Sequence, residues 1–139
     1  MKPYYWALLS MLVWGVAPIL EKFGLSKISV FGGLIYRSLG VVLGALMIVL
    51  FKFDAVKETL LSSPKDWWFL TCGGLLASIL GQIFFYHALK DGEASLVVPL
   101  AAAYPLVAFI LGVIFLGEQV TATKIAGLAF ILVGVFLLK

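Results

Sequence analysis

The chain has 139 residues, 63% of them hydrophobic and only 12% charged, with a formal net charge of +3. A water-soluble domain of this composition would lack the polar surface to cover its core, so lipid is the solvent that makes the composition reasonable. The positive charge is spread over short loops and the chain ends with no basic block, and nucleic acid is not suggested as a partner.

Five apolar runs fill nearly the whole chain: residues 3–20, 28–51, 67–89, 94–117 and 120–138. Crossing about 30 Å of hydrocarbon takes about 20 predominantly apolar residues in a helix, and each run is close to that length. None alternates with a period of two, so the backbone satisfies itself as helices and not as barrel strands. The expectation is an all-α membrane protein, a single domain over residues 1–139 with five transmembrane helices. Lys2 is a thin basic region and no small-residue cleavage site follows before Glu21 and Lys22, so the first run reads as a retained helix and not as a signal peptide.

In the first run Tyr4, Tyr5 and Trp6 suit an aromatic belt. Ser10, Trp14, Ala17 and Glu21 fall in a narrow stripe with Pro18 beside it. Trp14 lies near the centre of the run, where it either walls a cavity and stacks on a ligand or simply packs against a neighbouring helix. Glu21 is assigned to the interface at the helix end, in a connection over residues 21–26. In the second run Gly33, Arg37, Gly40 and Gly44 share one face, and Gly40 with Gly44 makes a GxxxG pair. Arg37 is only ~4 Å from mid-span by helix rise. A charge there costs at least ~2.5 kcal/mol, so Arg37 either faces an internal partner or wet cavity, or sits at the interface in a tilted helix.

The connection over residues 52–66 holds Val56, Leu60 and Leu61 among charges, which suits a short amphipathic turn at the headgroups. Ser63, Pro64 and Asp66 form a helix-start signal, with Trp67 and Trp68 in belt position. Cys72 has no metal-ligand spacing around it and reads as a small apolar group. In the third run Gly74, Ser78, Gly81 and Gln82 share a face, with Tyr86 one turn beyond. His87 lies on a different side, as an interfacial residue and not a proton relay.

The fourth run aligns Ala94, Ala101, Pro105, Ala108 and Gly112, while Pro99 and Pro105 free carbonyls that must find partners. In the last run Thr123, Gly127, Ile131, Gly134 and Leu138 share a face, and Gly127, Ile131 and Gly134 are expected to form a dimer contact. An odd number of spans sets Lys2, Lys52, Lys57, Lys65 and Lys124 on one side against Lys22, Lys27, Lys90 and Lys139 on the other. That near balance specifies orientation weakly, with a slight vote for the N-terminus inside, and both insertions are expected. No HExxH, CxxC, Ser-His-acid set or paired mid-span carboxylates can be assembled, so the chain is not read as an enzyme, and no cofactor or metal is implied.

The chain resembles the EamA-type branch of the drug/metabolite transporter superfamily. The resemblance is carried by Ala88, Leu89 and Lys90, by Ala94 and Ser95, by Pro99, Tyr104 and Pro105, and by Leu116, Gly117 and Glu118. Residues 127–134 in the last helix, and Trp14, Gly15, Pro18, Lys22 and Arg37 in the first two, match as well. Relatives of this kind carry two five-helix repeats in tandem, the second inverted; this chain has one. The resemblance therefore implies an antiparallel homodimer or a paralogous partner around a mid-membrane site. The chain is also similar to the shorter small multidrug resistance proteins, whose first-helix glutamate would fall about at Trp14, a departure that argues against carboxylate-driven exchange of cationic drugs.

The function expected is alternating-access transport of a small metabolite, an amino acid or related compound, by a multi-pass protein of a prokaryotic cell membrane. Trp14, Arg37, Gln82, Tyr86 and Tyr104 are the expected substrate-binding residues. The rival is a non-transporting subunit that stabilises or regulates a larger membrane complex.

Overall fold

The computed structural model describes residues 3–60 and 63–138. Lys2 and Lys139 of the orientation count, and Leu61 of the amphipathic segment, lie outside the described residues. Every regular element among those described is helical: α1 (Pro3–Leu25), α2 (Val30–Phe51), α3 (Phe53–Leu60), α4 (Pro64–Leu75), a π-helical turn (Leu76–Leu80), α5 (Gly81–Asp91), α6 (Ala94–Ala101), α7 (Pro105–Leu116) and α8 (Ala122–Leu137). Four stretches, Pro3–Leu25, Val30–Phe51, Lys65–Asp91 and Ala94–Leu116, are long and apolar enough to cross a membrane. α8 has 16 residues. At 1.5 Å per residue it rises about 24 Å, a shortfall that local bilayer thinning or flanking residues absorb. The protein is an all-α membrane protein of five transmembrane helices.

The chain divides into two compact units, Met1–Lys90 and Asp91–Lys139. In the first, α1 takes up most of the expected connection at residues 21–26, ending at Leu25, and keeps Glu21 and Lys22 helical. Pro18 sits inside this helix, where it cannot donate to the carbonyl one turn back, yet its ring is buried and the helix continues. Apolar Phe23 and Leu25 extend the run, and the Ser26 hydroxyl then donates to the Phe23 carbonyl at 2.7 Å as the helix ends. The Ser29 hydroxyl caps α2 by accepting from the Gly32 N–H at 3.1 Å.

The amphipathic connection folds as α3, with Asp54 in its first turn and Lys57 in its last, each complementing the helix dipole. Ser63 caps α4 by accepting from the Lys65 N–H at 3.4 Å, with Pro64 at the first helical position, as the sequence signal predicts. The third apolar run is continuous but contains the π-helical turn, closed by the Gly81 N–H bonding the Leu76 carbonyl. Among the described residues, Leu25, Val30, Leu34, Tyr86 and Leu89 are buried besides Pro18, and these five come from the end of α1, the start of α2 and the end of α5. Further along the spans Leu12, Val42, Leu46 and Phe69 are exposed, as lipid-facing residues should be.

In the second unit the fourth run breaks at residues 102–104. Pro105 has no N–H for the Ala101 carbonyl, which accepts from the Tyr104 N–H at 3.2 Å instead. α7 ends at Gly117, whose φ of 65° is left-handed. That turn brings the Glu118 N–H to the Gly112 carbonyl at 3.2 Å. α8 then opens on Thr121, whose hydroxyl accepts from the Lys124 N–H at 3.2 Å.

Candidate functional site

Glu21 and Arg37 meet across α1 and α2, with Arg37 Nε 3.3 Å from Glu21 Oε1. The pairing answers the cost of an arginine within an apolar span by cancelling its charge and supplying a partner. Both side chains keep some access, 29% for Arg37 and 19% for Glu21. From α5 the Gln82 amide donates to both carboxylate oxygens, at 3.3 and 3.4 Å. Tyr86, one turn on, is buried and interacts with Glu21 and Gln82.

Gly33 lets these helices come together. A Cβ added there would stand 2.7 Å from Leu25 Cδ2, so that either Leu25 or α2 must shift, and 3.4 Å from Tyr86 Cε2, an ordinary contact. Arg37 follows one turn later on the same face. The π-helical turn immediately before Gly81 and Gln82 adds a residue to one turn and so fixes the direction in which Gln82 and Tyr86 leave the helix. Beside the ion pair lies a cavity of about 250 Å³, bordered by Glu21, Gly33, Tyr36, Arg37 and Tyr86 with apolar Leu20, Leu25 and Ile28.

One end of the cluster is tied by two lysines. Lys22 Nζ donates to the Leu89 carbonyl and, at 3.1 Å, to the Lys90 carbonyl. Lys90 Nζ donates to the Ile28 carbonyl at 2.8 Å. A cation on the last carbonyls of α5 satisfies acceptors left over at a helix end and suits its negative dipole. Leu89, with no exposed surface, sits between these links.

Of the expected binding residues, Arg37, Gln82 and Tyr86 come together. Trp14 is two turns before Glu21 on α1, about 10 Å along the axis, and is 65% exposed. Tyr104 belongs to the second unit, where it borders a groove of about 500 Å³ with Phe109, Glu118, Lys124, Gly127 and Ile131. The sequence reading placed Glu21 at the helix end without a partner; α1 continues one turn further, to Leu25, and Glu21 pairs with Arg37. The usable signal was chemical, since a mid-span arginine needs an anion and Glu21 continues the polar stripe of α1. His87 is exposed, its ring edge-on to Phe31 at 6.3 Å, apart from the cluster's contacts.

In the second unit Glu118 folds back over Gly112, where an added Cβ would be 3.3 Å from its carboxyl carbon. Lys124 Nζ holds it at 3.4 Å and also donates to the Gln119 carbonyl at 3.0 Å. The Leu-Gly-Glu turn thus has a local role: glycine turns the chain and the glutamate fastens it. Gly127 and Ile131 border the groove named above, while Gly134 has open space where a side chain would begin.

An uncharacterized protein of Methanocaldococcus jannaschii is 28% identical over 132 residues, covering 95% of this chain and 92% of that protein. An uncharacterized transporter in the cobO 3′ region of a Sinorhizobium species is 30% identical over 136 residues, 96% of this chain and 94% of its own length. No solved structure matches the chain significantly. The EamA-like transporter family matches the chain across residues 1–139, and the chain belongs to that family.

Proposed function

We propose that the protein is a secondary transporter that carries a small metabolite bearing an anionic group, an amino acid or related compound, across a prokaryotic cell membrane by alternating access. The observation that carries the reading is the Glu21–Arg37 pair at the edge of a cavity of about 250 Å³. That space suits a molecule of few heavy atoms, smaller than the drug-sized ligands of ordinary pockets. Arg37 holds the anionic group, since its planar fork matches a carboxylate. Gln82 and Tyr86 supply hydrogen bonds, and Trp14, on the stripe of α1 that ends in Glu21, offers a stacking surface.

A single five-helix repeat gains its passage by pairing with an oppositely inserted copy or a paralogue, which is how inverted repeats elsewhere alternate access. The near-balanced lysines favour insertion both ways, and both relatives are matched over nearly their whole length by the same single repeat. The test is counterflow of a labelled amino-acid mixture in vesicles holding the purified protein alone. Flux lost in Arg37→Ala but not in an exposed-face control supports the carrier. No flux either alone or with a paralogous five-helix repeat added favours a non-transporting subunit.

A further inference from the structure

We propose that Lys22 and Lys90 latch a gate: the end pieces of α1 and α5 shut one end of the cavity in this structure and part there to let solute out. The inference rests on the carrier reading above. It adds which residues close the path and where the closing pieces hinge.

Three observations carry it. The first is where the packing lies. Among the described residues, no side chain of α1 before Pro18 and none of α2 after Leu34 is buried. Burial in this unit is gathered instead where α1 ends, α2 begins and α5 ends, with Leu25 1% and Leu89 0% exposed. Apolar side chains thus plug that end. The cavity starts directly inside the plug, bordered by Leu25 and Ile28 there and by Glu21 and Arg37 deeper in the span.

The second is the kind of link across the plug. All three bonds run from a lysine ammonium to a main-chain carbonyl, from Lys22 to Leu89 and Lys90 and from Lys90 to Ile28. The bonds to Lys90 and Ile28 are exposed, so water can take over both partners when the ends separate. Bonds of this kind hold the ends together and release them at modest cost, as a latch must.

The third is that both helices carrying the latch are interrupted before they reach it. In α1 Pro18 stands four residues ahead of Lys22 and leaves the Trp14 carbonyl without its helical donor. In the third span the π-helical turn Leu76–Leu80 comes directly before α5. Prolines and π-helical turns are where helices bend. Residues 18–25 and α5 can therefore swing as short bodies, the one carrying Glu21 and Lys22, the other Gln82, Tyr86 and Lys90.

Joining the two ends covalently separates a gate from a static brace. Phe31 at the start of α2 and His87 on α5 stand edge-on with ring centroids 6.3 Å apart, and both are exposed, so cysteines in their places can be bridged from water. The full chain with Phe31→Cys, His87→Cys and Cys72→Ser would be treated in liposomes with a reducible, membrane-permeant bis-methanethiosulfonate. Counterflow of the labelled amino-acid mixture is then followed before bridging, after it and after reduction. A gate loses flux in proportion to the fraction bridged, regains it on reduction, and keeps its melting temperature throughout. Flux that persists at complete bridging, read by mass spectrometry, overturns the gate and leaves the carrier standing. No counterflow by the unmodified protein, alone or with a paralogous repeat, overturns the carrier reading and the gate with it.

A second measurement needs no flux, and it decides the matter if the cysteine pair is itself inactive. In permeabilised liposomes a water-soluble maleimide should modify Leu89→Cys, in the Cys72→Ser background, about tenfold faster once Lys22→Met is added, because losing a charge-assisted bond shifts an opening equilibrium by at least that factor. Gly117→Ala, a destabilising change in the second unit, should leave the rate where it was. Equal rates with and without Lys22 overturn the latch.

Discussion

Lys22 and Lys90 bind each other's helix ends. The Lys22 ammonium is bonded to the Leu89 and Lys90 carbonyls at the end of α5, and the Lys90 ammonium returns to the Ile28 carbonyl in the turn after α1. All three bonds join a charged donor to a backbone acceptor, each worth about 1.5–3 kcal/mol where water is scarce. Lys22→Met should lower thermal stability by about 1.5–3 kcal/mol in detergent, more than Lys90→Met, because the Leu89 carbonyl is the less exposed acceptor. Equal and negligible shifts in unfolding temperature would show that the links are ornamental.

The Glu21–Arg37 pair predicts a non-additive cycle. Removing either partner strands the other charge in an apolar span, so Arg37→Ala and Glu21→Ala should each cost about 1–3 kcal/mol, discounted from a fully buried pair because both side chains keep some access. The double variant should recover most of that stability while remaining inactive. Unfolding curves and vesicle uptake on the same four proteins measure both, and simple additivity would contradict a direct pair.

Glycines of α2 separate into two kinds. At Gly33 an added Cβ meets Leu25 at 2.7 Å in the buried cluster, whereas nothing lies within 4 Å at Gly40 or Gly44. Gly33→Ala should cost about 1–3 kcal/mol by overpacking. Gly40→Ala and Gly44→Ala should leave monomer stability unchanged or raise it by up to about 1 kcal/mol. If all three behave alike in a thermal melt, the close approach at Gly33 is not what holds α1, α2 and α5 together.

At Gly117 the left-handed backbone, φ 65°, is the constraint. Gly117→Ala should cost about 1–2 kcal/mol even though its surroundings are open, because a Cβ then faces a carbonyl oxygen. Gly117→Asn should cost less. Hydrogen exchange at the Glu118 amide, bonded to the Gly112 carbonyl, would accelerate in the alanine variant and reports the turn directly.

The proposed dimer contact on α8 predicts a clean separation of assembly from folding. Gly127 and Gly134 have nothing within 4 Å of an added side chain, so Gly127→Leu and Gly134→Leu should leave the monomer's melting temperature in place. Crosslinking in membranes should nonetheless show fewer dimers. Undiminished crosslinking would move the contact to another face.

The helices were legible because composition and run length are coarse properties that lipid enforces, and the caps at Ser63 and the break at Pro105 were legible because their mechanism is local. Half of the site was legible as well: Arg37, Gln82 and Tyr86 each lie on a small and polar face. The pairing of Glu21 was not, because the apolar run stops at Leu20 and a carboxylate there reads as a helix end, whereas the helix continues to Leu25, which lies against Gly33. The π-helical turn left no sign either, since Leu76–Leu80 are ordinary helix formers. Tyr104 lies in the second unit, where it borders the α7 and α8 groove.

The widened turn at Leu76–Leu80 makes the third span a helix with one residue to spare. Trimming a single residue there would restore an ordinary winding and swing everything beyond it by about 100°, carrying Gln82 off Glu21 and Tyr86 out of its niche. The aim of the whole second half of that span therefore hangs on a surplus no larger than one amino acid.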